Sequence, residues 1–233
     1  MTEESQEFEK AKTRYFTRKT LAHLPEMRLA KTAGLLPKKE GWANVTEHML
    51  VEAEAADVLA EALGVPNTER KKLVTAAMLH DVYKRKEREL ASQKGAAGFE
   101  EAAVSQSEFI RQGEYSEEII VLTESVGHTS LIKFKDLSKI PLVFKIMHYV
   151  DDVTLNNDLV LLDERIDALE ANPRYAELNQ QGVAIFGKPY FTVQRETSKK
   201  IEQEFAQQLG LGDPTQLPFW IRERILERIK QNG

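Results

Sequence analysis

Residues 68–90, TERKKLVTAAMLHDVYKRKEREL, hold the pattern that decides the fold. Leu73, Ala77, His80 and Lys84 recur at helical spacing, with Val74, Met78 and Asp81 on the adjoining stripe. This spacing predicts one helix over 68–91 that presents His80 and Asp81 on its inward side. Gly64 and Pro66 precede it, Asn67 or Thr68 can cap its start, and Gly95 to Gly98 follow its end. Small side chains at Ala76 and Ala77 leave room for another helix to approach.

Working outward, the same period predicts helices over about 4–20, 43–63, 98–112, 116–127, 141–154, 159–171, 189–209 and 217–231, with Ser116 as a candidate cap. Twelve glycines and eight prolines are few for 233 residues, and Glu, Lys, Ala, Leu and Gln dominate, so the expected fold class is all-α. Val51, Ala55, Val58, Leu59 and Ala62 form a buried stripe that reaches His48 one turn earlier, and Phe144, His148, Asp151 and Leu155 share a face.

Composition narrows the chemistry. Cysteine is absent, which excludes disulfides, thiolate zinc sites, iron–sulfur clusters and cysteine nucleophiles. Any metal must use oxygen and the five histidines, His23, His48, His80, His128 and His148. A formal charge of -5 argues against nucleic-acid binding over the whole surface. No apolar run approaches the ~20 residues that cross a bilayer, and the start, MTEESQEFEK, is acidic, so a cytoplasmic protein without membrane association is expected.

His48, His80, Asp81 and Asp151 each face the interior from a predicted helix. Burying two carboxylates without a cation costs several kcal/mol, and a shared divalent ion removes that cost. Imidazole nitrogen with carboxylate oxygen suits Mn, Fe, Co, Ni or Zn, and Mg less well. Asp152 is the rival of Asp151, which is preferred because it shares a stripe with Phe144 and Leu155. His23 reads as a surface or packing residue.

Taken together, NVTEHML at 44–50, AAMLHDVYK at 76–84 and MHYVDDVT at 147–154, in the order His, His-Asp, Asp, resemble the HD-domain superfamily of metal-dependent phosphohydrolases. The resemblance covers residues 40–155. It implies a helical-bundle metal-binding core over 41–155, an N-terminal helix within 1–40 packed on it, and a C-terminal helical extension over 156–233. The family's last aspartate follows an apolar pair, here Tyr149-Val150, which again selects Asp151.

The activity implied is hydrolysis of a phosphomonoester or phosphoanhydride, including that of a nucleotide, with a small phosphorylated molecule as partner. Asp81 would orient or deprotonate water, and Lys84 would pair with a phosphate oxygen unless it is simply solvated. By the same resemblance His128 would meet the phosphate, a helix C-terminal cap being its ordinary alternative, and His148 could join a second metal. Residues 85–127 hold no histidine, which favours one ion. Arg14, Arg18 or Lys19 could add a phosphate clamp or be solvated. Phe219 and Trp220 are expected to pack on the core, with a homodimer contact as the alternative. The competing functions are a non-catalytic nucleotide- or partner-binding module of the same fold and a di-iron oxygenase, which needs more ligands than the sequence offers.

Overall fold

The computed structural model describes residues 3–35, 44–126 and 137–232. Among them are twelve helices: α1 Glu3–Ala22, α2 Leu24–Thr32, α3 Asn44–Ala62, α4 Asn67–Ala77, α5 Lys84–Lys94, α6 Ala96–Gln112, α7 Glu117–Glu124, α8 Leu142–Asp152, α9 Leu162–Glu170, α10 Ala176–Phe186, α11 Tyr190–Gln208 and α12 Leu217–Asn232. Among the described residues the fold is all-α apart from one antiparallel hairpin, β1 Thr154–Leu155 with β2 Asp158–Leu159, in which Thr154 faces Leu159.

The hub is α3. From His48 to Ala60 every residue is buried except Val51 and Asp57, which are half-buried. A helix covered on all sides belongs at the centre of a bundle, and Ala53, Ala55, Ala56 and Ala60 let α4, α8 and α12 pack closely around it. One cluster of buried side chains runs from Tyr15 on α1 to Ile229 on α12, so the last third of the chain shares the core of the first two. On the side of α3 facing α1 and α12, Glu54 is buried but paired, with Lys19 Nζ at 2.5 Å and Tyr15 Oη donating at 2.5 Å. That pairing commits Lys19 to Glu54.

The helix expected over 68–91 is interrupted. Helix α4 ends at Ala77, residues 78–83 form turns, and α5 starts at Lys84. No glycine or proline breaks it. Met78, Leu79 and Val82 are all fully buried, and with the buried Ala76, Ala77 and His80 they would point around a continuous helix rather than along one face. Turns with Leu79 N–H on Ala76 O (2.9 Å) and Val82 N–H on Leu79 O (3.0 Å) bring all three into the core. Pro66, not Asn67 or Thr68, takes the cap position of α4, whereas Ser116 caps α7 as expected, and neither makes a side-chain cap bond.

Two helices lie where the sequence pattern points to none. Helix α2 tolerates Pro25 because it sits in the first turn, where its missing N–H is not needed. Helix α10 carries Gly182 at its middle because a Cβ there would stand 2.3 Å from the backbone nitrogen of Tyr190, so α10 and the start of α11 touch backbone to backbone. No described helix is long and apolar enough to cross a membrane.

Candidate metal centre

Helix α3 supplies His48 and, one turn on, Glu52. The turn after α4 supplies His80 and Asp81, and the end of α8 supplies Asp151. Because His80 and Asp81 sit in a turn, their reacting atoms converge instead of diverging by the ~100° of an α-helix. His80 Nε2 and Asp81 Oδ2 are 3.9 Å apart.

The two imidazoles lie 5.6 Å apart, centroid to centroid, and both aim Nε2 at the Glu52 carboxylate. His48 Nε2 is 2.8 Å from Glu52 Oε1 and His80 Nε2 is 3.0 Å from Glu52 Oε2. Asp151 Oδ1 stands 3.7 and 3.9 Å from the same two nitrogens, and Asp81 Oδ2 stands 3.9 Å from each. Glu52 is the floor, with no exposed side-chain surface, whereas Asp81 and Asp151 form the rim at 13% and 16% exposure.

The opposite ring nitrogens decide the tautomer. His48 Nδ1 is 2.7 Å from the carbonyl oxygen of Asn156, and His80 Nδ1 is 2.8 Å from that of Ala77. A carbonyl only accepts, so each Nδ1 carries the donated proton, and in the neutral ring Nε2 is left as a lone pair facing carboxylate oxygen. The Asn156 contact depends on the β1–β2 turn, where Asn156 takes a left-handed φ of 59° that asparagine tolerates.

Despite the short separations, neither Glu52 oxygen nor His80 Nε2 has a hydrogen bond. Lone pairs, orphaned buried oxygens and three carboxylates around one point fit a divalent cation. Ligand atoms of His48, Glu52, His80 and Asp151 all lie within 4.8 Å of one another, so this group could hold a metal ion. The donor set is mixed nitrogen and oxygen.

Without a cation, protons must compensate. Burial opposes charge on His48, yet the Glu52 carboxylate, with Asp151 and Asp81, outweighs it and pushes the ring up to about 10. His80, under the same opposition, is pushed up to about 9 by Glu52 and Asp81. Asp81 is lowered to about 2, since Lys84 and the two rings overcome its burial. Asp151 is held well below the carboxylate range by His48 and Arg165, again against burial.

Of the four residues expected as ligands, the structure groups His48, His80 and Asp151 with Glu52, and leaves Asp81 beside that group, its Oδ2 3.9 Å from each imidazole Nε2. Lys84 Nζ reaches Asp81 Oδ1 and Glu87 Oε1, each at 3.2 Å. His128 lies outside the described residues. His148 is not available as a second-metal ligand: its Nδ1 donates to Val126 O at 2.6 Å, and its Nε2 meets Ser198 Oγ at 3.0 Å and Asp152 Oδ2 at 3.3 Å. Asp152 is absorbed by that network, accepting from Ser198 and Gln194, and its burial raises its pKa. His23 stands 3.6 Å from Glu26, away from the centre. Trp220 packs against the core while Phe219 stays 37% exposed.

Sequence reasoning missed three participants. Glu52 had a readable signal, a carboxylate four residues after His48 within a buried stretch. The Asn156 carbonyl had none, being backbone. Arg165, whose Nη2 is 3.7 Å from Asp151 Oδ1, is one charge among many in LDERIDALE. No family model, curated protein or solved structure matches this chain, so the case for its function rests on the side chains of this centre.

Proposed function

We propose that the protein is a metal-dependent phosphohydrolase acting on a phosphomonoester or phosphoanhydride, nucleotides included, through one divalent transition metal. The observation that carries this reading is the pair of carbonyl-locked imidazoles whose Nε2 atoms face the orphaned Glu52 carboxylate. The His, His-Asp, Asp order of these same residues, which resembles that of HD-domain phosphohydrolases, also supports it. His48, His80 and Asp151 would hold the ion, with Glu52 beneath and Asp81 beside them.

A bound divalent ion supplies Lewis-acid polarisation of a phosphoryl oxygen and acidifies water. The chain's own contribution is positioning. Asp81 divides its oxygens, Oδ1 towards Lys84 and Oδ2 towards the imidazoles, so Oδ2 is the atom that accepts a hydrogen bond from the attacking water and aligns it. Its other oxygen stays paired with Lys84, which fixes the carboxylate for orienting the water. Lys84, at the same rim, offsets charge on the phosphoryl oxygens. Among the described residues of the centre, His48, His80 and Glu52 are buried, and the exposed surface belongs to the rim residues Asp81 and Asp151.

The test is elemental analysis of the purified protein together with hydrolysis of a phosphate-ester panel with and without Mn. His80→Ala and Asp81→Ala should lower metal content and abolish hydrolysis. Full activity in metal-stripped protein, or in His80→Ala, sinks the reading.

A further inference from the structure

We propose that Arg165, contributed by α9, is the side chain that grips the phosphoryl group of the substrate. This assignment rests on the phosphohydrolase reading above and adds a specificity-determining contact from the last third of the chain.

Four observations support it. First, location: Asp151 Oδ1, the atom facing both imidazole Nε2 atoms, is also the atom that Arg165 Nη2 approaches, at 3.7 Å. The guanidinium therefore borders the candidate centre at its rim. Second, it is held back. Arginines that tie this fold together close to hydrogen-bond distance on their carboxylates: Arg228 at 2.7 Å on Asp57, Arg195 at 2.7 Å on Asp163 and Arg70 at 2.8 Å on Asp57. Arg165 stands off by about another ångström.

Third, its donors are under-used. Among the described residues its one side-chain hydrogen bond is from Nε to the Asp151 backbone carbonyl, at 3.4 Å. A guanidinium offers five N–H donors in a planar fork that matches two phosphoryl oxygens. Fourth, the neighbouring cation is already divided: Lys84 Nζ contacts both Asp81 and Glu87 at 3.2 Å. Lys84 and Arg165 thus flank the two rim carboxylates, one on Asp81 and one on Asp151. A phosphoryl group entering over the rim meets cations from both sides, and the guanidinium is the one with donors to spare.

An arginine that only oriented or neutralised Asp151 would act on metal binding instead. The experiment separates the two with metal-loaded wild type, Arg165→Gln and Arg165→Lys. It measures metal content by elemental analysis, inorganic phosphate affinity by calorimetry, and KM and kcat on p-nitrophenyl phosphate. Arg165→Gln should keep the wild-type metal stoichiometry and weaken phosphate binding about 10- to 100-fold, as expected for loss of a charge-assisted contact. Arg165→Lys should keep the fold and recover only part of the affinity, because it lacks the fork. Equal phosphate affinity in wild type and both variants overturns the assignment, as does loss of metal in both variants or a wild type that binds no phosphate. Arg165-dependent phosphate binding in a wild type that hydrolyses no ester leaves this assignment standing and refutes the hydrolase reading.

Discussion

Metal and protons compete for the same Nε2 atoms, and that competition has a calculable size. In the metal-free protein His48 and His80 are pushed up to about 10 and about 9, so at pH 7.5 both rings are protonated in more than nine molecules of ten. A cation can use Nε2 only after displacing those protons, so binding one ion should release about two protons at pH 7.5. The same two equilibria make the apparent affinity rise steeply with pH. Between pH 7.5 and 8.5 displacement of one to two protons lowers the proton-competition factor by about 10- to 100-fold, and the metal dissociation constant should fall with it. The assay is titration of EDTA-stripped protein with Mn in buffers of different ionisation enthalpy, which yields the proton count, repeated at the two pH values for the affinity. Binding that releases no proton and has the same affinity at both pH values would refute the argument. It would mean that Nε2 is not where the ion binds.

Other perturbations test separate steps. Glu52→Gln should lower metal affinity at least about 100-fold, since outer-shell partners of metal ligands alone cost 10- to 100-fold; elemental analysis after dialysis reads it. The metal-free protein should lose stability as pH rises from 7 towards 10. A ring with a raised folded pKa contributes its full stabilisation below its unfolded value near 6.5 and loses it as pH passes through about 9 to about 10. Thermal melts of wild type against His48→Gln should therefore converge with rising pH, and a gap that widens would contradict the sign. Leu79→Ala, at a fully buried turn position, should cost about 2–5 kcal/mol by urea unfolding. Gly182→Ala should cost about 1–3 kcal/mol by forcing α10 off α11, with metal content unchanged.

The helical period read most elements correctly because it reports burial on one face, and α6 and α12 each bury such a face. It failed at 78–83, where nearly every side chain is buried and no single face exists to report. It failed again at α10, whose Gly182 reads as a break locally but serves a backbone contact with Tyr190 that only the tertiary structure creates. In the site, His48, His80, Asp81 and Asp151 were legible because buried histidine and aspartate are costly and few. Glu52 was legible only through its place one turn after His48 in a buried stretch, and Arg165 was hidden among the chain's many surface-type cations.

The same logic explains why two adjacent aspartates on one helix have different roles. Asp151 and Asp152 project about 100° apart on α8, so one meets the imidazoles while the other turns towards α11. There Ser198 and Gln194 both donate to Asp152, His148 meets both Ser198 and Asp152, and Tyr149 donates to Glu202 at 2.8 Å. Each of these bonds is buried, and leaving one unmade costs about 1–3 kcal/mol. Rotating α8 to exchange the two aspartates would break the set together, so α11 fixes which carboxylate faces the centre. The hairpin after α8 positions the Asn156 carbonyl that sets the His48 tautomer, and α9 brings Arg165 beside Asp151. The last third of the chain thus supplies three of the constraints that hold the candidate centre in one arrangement, although none of its side chains belongs to the group that could hold the ion.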